Sequence, residues 1–230
     1  MKKTTAPMLK RACFPAVGAI ALLCLTSLNS IGQTPEAADT LSNGLERVPS
    51  STVQFAYLRP GTDLKKFRSV HIQPLVVPSE VRDTTPRGMR VRIGESYLLR
   101  DQDVEGIQKL YADAFRNVFT RAGFSVVDTA EAGVLVVATQ VTDITLRAPL
   151  EHTRGGGSSR VRTFSEGGGS ISIKAALADG GTGEVIAAVA DGTQLNNLWR
   201  QNTRVQNIAD LRRAFTSWAR ALANKMGGAS

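Results

Sequence analysis

Ser170–Gly192 reads "SISIKAALADGGTGEVIAAVADG", and this stretch decides the fold. Two apolar runs flank Gly180-Gly181-Thr182-Gly183. In the first run Ile171, Ile173, Ala175 and Leu177 alternate with Ser172 and Lys174. Successive side chains of a strand point to opposite faces, so this alternation predicts a strand with one apolar face. A second run after a glycine-rich turn predicts a β-hairpin.

Upstream, "AGVLVVATQVTDITL" (Ala132–Leu146) is continuous and apolar at its start and alternates at its end. A continuous start predicts a central strand covered on both faces. "FSVVD" (Phe124–Asp128) and "RSVHIQPLVV" (Arg68–Val77) are two further strand-like runs. Pro74 has no N–H to give, so pairing breaks there or the strand lies at a sheet edge.

Two helices bracket these strands. Val104, Ile107, Leu110, Tyr111, Ala114, Phe115, Val118 and Phe119 recur at spacings of three and four, which predicts a helix from about Asp101 to Ala122, closed by Gly123. Ile208, Leu211, Phe215, Trp218, Leu222 and Met226 form a similar stripe, predicting a helix from about Asn207 to Met226. The expected order is β-α-β-β-β-β-α. Its expected class is α+β: a mixed sheet of about five strands with both amphipathic helices on one face.

The N-terminus carries an address. Lys2, Lys3, Lys10 and Arg11 precede an apolar core from Ala16 to Leu28, with no acid before Gln33. That core is too short for the ~20 residues of a membrane span. It reads as a secretory signal over residues 1–32, cut before Gln33. Cys24 leaves a second possibility, lipidation, although Leu23 stands where a lipoprotein signal needs a small residue. The remaining reading makes Cys24 a plain apolar member of the leader. Removal of the leader takes both cysteines with it, excluding disulfides, thiol catalysis and zinc–thiolate sites from the mature part.

The chain has 28 basic and 20 acidic residues; four basic and no acidic ones lie in the leader, leaving 24 against 20. So mild an excess does not suggest a nucleic-acid binder. Residues 33–54 are polar and read as a flexible tether, and 55–230 as one α+β domain. Within it, about 78–100 and 147–169 lack periodicity and read as mobile loops.

Together, "YLRPGTDLKKFRSVHIQPL", the helix end "FTRAGFSVVD", the strand end "TQVTDI" and "ADGGTGEVIAAVAD" resemble the bacterial family called domain of unknown function 3313. The resemblance runs from about Tyr57 to Lys225. It implies a small exported protein of the cell envelope, often a lipoprotein, with no assigned activity.

A search for chemistry returns little. His71 and His152 are isolated, and each reads as a structural or solvated residue. Asp143, Asp179 and Asp191 read as turn and strand-end residues, without the spacing of a calcium loop. "GGGSSR" lacks the lysine and the following helix of a phosphate loop. No catalytic, metal or cofactor-binding residue is assigned, and no cofactor is expected. Two arginine groups remain: Arg82, Arg87, Arg90 and Arg92 in one loop, and Arg147, Arg154, Arg160 and Arg162 in the other. If the loops converge, these forks suit an anionic envelope component. The expected function is a non-enzymatic binding or assembly module in the periplasm or at a membrane surface, with another envelope protein or an anionic envelope component as partner. The mature part is expected to have no transmembrane span. The alternatives are a carboxylate hydrolase such as a glycosidase, using Glu95 with Asp101 or Asp103, and an outer-membrane lipoprotein held by Cys24.

Overall fold

The hairpin is the spine of the sheet. In the computed structural model its arms are β9 (Gly169–Asp179) and β10 (Val185–Gln194). Asp179 and Glu184 close the turn, the Asp179 N–H donating to Glu184 O at 3.0 Å. Gly183 takes a positive φ of 72° there. The structure describes residues 40–41, 43–88, 90–91, 95–148, 151–152, 164–166, 168–195, 199–201 and 203–228. The predicted leader, with Cys24, lies outside them, as do Arg92, Arg154, Arg160 and Arg162.

Toward the N-terminus come β1 (Glu46–Arg47), β2 (Phe55–Leu58), β3 (Ser69–Ile72) and β4 (Glu95–Ser96). Helix α1 (Asp101–Arg121) follows, then β5 (Ser125–Val127), β6 (Val134–Leu146), β7 (Glu151–His152) and β8 (Phe164–Glu166). After the hairpin come β11 (Trp199–Gln201) and α2 (Arg204–Lys225). The principal sheet has the order β1-β2-β10-β9-β6-β3-β5. It is mixed: β3 pairs parallel with both β5 and β6, and the other neighbours pair antiparallel.

All five predicted strands are present, but the sheet has seven, not about five. The two extra strands, β1 and β2, are short and lie at the edge beside β10. Their few residues carry too little alternation to separate them from turn sequence. Leu45 is fully buried beside Tyr57, so packing begins before the predicted start at Phe55. Pro74 marks an interruption and not an edge. The N–H groups of Gln73 and Val76, on either side of it, both donate to β6 at 2.9 Å.

Both helices pack on one face of the sheet. Tyr111 of α1 shares a hydrogen bond of 2.9 Å with Thr139, and Trp218 of α2 reaches Asp191. The register puts Thr139 beside Ala175 and Val189, two residues from Asp191 and on the same face. An aromatic row fills the space between. Tyr111 meets Phe115 at 4.4 Å and Phe215 at 5.6 Å between ring centres, and Phe215 meets Trp218 at 6.0 Å. Burying each such side chain contributes about 1.5–3 kcal/mol. The opposite face is built from small residues. Ala138, Ala176 and Ala188 are buried with Tyr57 and Leu45. Lys174 also lies on that face, and it is buried rather than solvated. Burial lowers its pKa, and Glu80 partly opposes this.

The two long loops meet. Strand β4 pairs antiparallel with β7, placing Glu95 opposite His152. The first is also pinned internally: Thr84, Tyr97 and Leu99 are buried, and the Thr84 hydroxyl donates to Tyr97 O at 2.6 Å. At the base of the second, buried Asn207 of α2 donates to Ala148 O at 3.1 Å.

Candidate functional site

The described part of the molecule holds an apolar cleft of about 340 Å³ between the sheet and α2. Two rows of side chains cross four strands to make its floor. One row is Ala56, Val189, Ala175 and Thr139; the other is Leu58, Ala187, Leu177 and Val137. Trp218, Ala221 and Leu222 of α2 form the roof, and Lys225 stands one turn further on.

Small residues leave this space unfilled. Ile173 and Leu177 on β9 are buried, but Ala175 between them is only half-buried although its strand is central. The helices do not reach down to an alanine there. Residues 48–54, linking β1 to β2, bend over the outer side as a strap. The Val48 N–H donates to Ala56 O at 2.8 Å, and the Gln54 N–H to Asp191 Oδ1 at 3.0 Å. Val48, Pro49 and Val53 turn toward the cleft.

Two polar groups on the floor and wall, Thr139 and Asp191, have partners. Thr139 is bonded to Tyr111. Burial pushes the Tyr111 hydroxyl well above its ordinary pKa, and the Thr139 bond opposes this only in part. Asp191 accepts from Gln54 through one oxygen and from Trp218 Nε1 at 2.7 Å through the other. The wall therefore suits hydrocarbon better than a polar ligand.

The sequence-predicted residues fall elsewhere. Arg87 and Arg147 do come together, lining one groove with Asp143, Thr145 and Gln194. Arg82 is engaged by Asp101, its Nη1 lying 2.7 Å from the carboxylate. Arg90 is exposed. Asp103 binds Arg204 at 3.0 Å and accepts from the Arg100 N–H at 3.2 Å, capping the first turn of α1. Asp101 and Asp103, the two candidate partners of Glu95 in the hydrolase alternative, thus have structural tasks at a helix start. His71 lies with Nδ1 3.1 Å from Val127 O, bridging two parallel strands. Asp179 accepts from Gly181 N–H in the hairpin turn and from Lys66, as turn chemistry predicts. Asp191 departs from that pattern: it sits inside β10 and holds α2. Among the described residues no three His, Cys, Asp or Glu side chains gather as metal ligands would.

Sequence reasoning missed the cleft. Its only trace was the run of alanines at helix-facing strand positions, where larger residues fill a core.

The family described as protein of unknown function DUF3313 matches residues 36–222. The chain belongs to the DUF3313 family. Every residue of the cleft floor and of its roof lies within the matched span, so the cleft is part of the DUF3313 domain and not an appendage. No curated protein matches the sequence. Among solved structures, a Xanthomonas campestris protein of family DUF330 is 12% identical, with a TM-score of 0.42 over 72% of this chain and 86% of that one. The PelC dodecamer from Paraburkholderia phytofirmans is 11% identical, with a TM-score of 0.37 over 76% and 98%. A minor lipoprotein from Acinetobacter baumannii is 8% identical, with a TM-score of 0.30 over 70% and 92%. None of these likenesses bears on function.

Proposed function

We propose that this DUF3313 protein is exported to the cell envelope and works by binding, not catalysis. The apolar cleft under α2 carries this reading. It has the size and lining of a small-molecule site, and Thr139 and Asp191 in its wall are already bonded to the protein. The charged leader with its short apolar core supports export. The tasks of Asp101 and Asp103 in ion pairs and the helix cap weigh against the carboxylate hydrolase. No helix among the described residues is long and apolar enough to cross a membrane, so attachment would rest on Cys24 or on a partner.

Two measurements test the reading. Mass spectrometry of the native N-terminus should find Gln33 or a close neighbour, or an acylated Cys24 if the protein is anchored; an intact leader on cytosolic protein overturns export. An apolar fluorescent probe should bind the purified domain stoichiometrically and change Trp218 emission. Absence of any such binding removes the cleft as the functional site.

A further inference from the structure

The cleft has a neighbour at Asp191. A second hollow of about 460 Å³ shares Thr52, Asp191, Trp218 and Ala221 with it. Its other walls are mainly polar, with Thr193, Ser217, Arg220 and Asn224 beside Gly192 and Ala214. An apolar slot therefore lies directly beside a hydrophilic chamber, an open one in which Ser217, Arg220 and Asn224 are exposed. Along α2, Ala214, Ser217 and Asn224 face the chamber, Leu222 and Lys225 face the slot, and Trp218 and Ala221 line both. One helix thus presents two chemistries side by side.

The charges around these openings are unequal. Asp191 faces both spaces, but each of its oxygens already accepts a hydrogen bond. Arg220, on the chamber wall, and Lys225, at the slot, form no ion pair among the described residues. Lys65 adds a third positive charge near the end of α2, its side chain beside Gly227. Arg220, Lys225 and Lys65 outnumber the single carboxylate of Asp191 here, and the guanidinium fork suits phosphate or carboxylate.

Resting on the binding role proposed above, we propose that the site takes a single-chain amphiphile with an anionic head. The hydrocarbon chain lies in the slot over Ala175 and Val189. The acidic head lies in the chamber against Arg220, with Ser217, Thr193 and Asn224 as further hydrogen-bonding groups.

Isothermal titration below the micelle concentration, with dodecyl phosphate, dodecyl maltoside and inorganic phosphate as probes, tests this. Dodecyl phosphate should bind one-to-one, and shortening the chain should weaken it roughly three- to fourfold per methylene removed. Arg220→Gln should weaken dodecyl phosphate roughly fivefold or more and leave dodecyl maltoside unchanged. Ala175→Phe should abolish binding of both chain probes, and Val189→Phe serves as a second slot-filling variant should the first misfold by circular dichroism. Inorganic phosphate alone should show no measurable binding. Equal affinity for the two chain probes, or an Arg220→Gln variant that does not discriminate between them, overturns the anionic head while leaving a cleft that binds. Tight binding of inorganic phosphate, or chain binding that survives both slot-filling variants, overturns the two-part site. Failure of every chain probe removes the binding role as well.

Discussion

Trp218 Nε1 donates to Asp191 Oδ2 at 2.7 Å, fastening the middle of α2 to β10 at the boundary between slot and chamber. The bond is charge-assisted, and Trp218 is 8% exposed, so its N–H has little water to turn to. Asp191→Ala is expected to destabilise the fold by about 1.5–3 kcal/mol in urea denaturation. Asp191→Asn keeps an acceptor and should cost less. In a Trp199→Phe background, Asp191→Ala should also shift the remaining tryptophan emission to the red. No change in stability or emission would show that the bond does not hold the helix.

Tyr111 and Thr139 form a second polar link, in the core itself. Removing either partner alone leaves a buried hydroxyl unpaired. Tyr111→Phe and Thr139→Val should each cost about 1–3 kcal/mol, and the double variant should cost clearly less than their sum. Strict additivity in a double-mutant cycle would contradict the bond.

The same tyrosine predicts behaviour in base. Burial raises its pKa in the folded state above the unfolded value of 10.0. Stability from this source is complete below the unfolded pKa and declines as pH rises above it. Tyrosinate absorbance from Tyr111 should therefore appear together with loss of helix signal. A Tyr111→Phe variant should lose that coincident component.

Acid acts through the turns. The Thr85 hydroxyl at 2.6 Å, and then the Thr85 N–H at 3.0 Å, hold the Asp83 carboxyl below its ordinary value. At Asp179 burial opposes ionisation, but the Gly181 N–H, Lys66 and the Thr182 N–H together outweigh it. Both folded pKa values lie below the unfolded ones. Their contribution is present above the unfolded carboxylate range, roughly pH 4, and is lost as pH falls through the folded values. The Asp83→Asn/Asp179→Asn variant should be less stable at neutral pH and show a flatter loss on acidification. An unchanged acid slope would assign the loss to other groups.

Gly169 begins β9 at a φ of 105°, and a Cβ there would collide with the Thr145 carbonyl. Gly169→Ala is expected to destabilise by about 2 kcal/mol or more, through backbone strain and the displaced β6 partner. Thermal unfolding of that variant at the wild-type temperature would contradict the close approach.

Much of this fold is readable from local pattern. The stripe from Val104 to Phe119 becomes α1, and the stripe from Ile208 to Met226 lies along α2 and its cap, with Ile208 at its start exposed instead of buried. Gly123 and Gly227 follow the two helices with positive φ. The alternation around Gly180–Gly183 becomes the β9–β10 hairpin. Each of these signals is confined to a few neighbouring residues, so the chain states it directly. Glu46–Arg47 is too short to state anything of the kind.

The helix stripes and the hairpin are properties of the sequence alone, because spacing decides which side chains share a face. The cleft belongs to the tertiary structure. Periodicity marks Ala175 as facing the core without saying whether the volume opposite is filled. That depends on register, which sets Ala175 between Val189 and Thr139, and on where Trp218 and residues 48–54 come to rest. An empty space between elements so distant in the chain is decided only when all of them have packed.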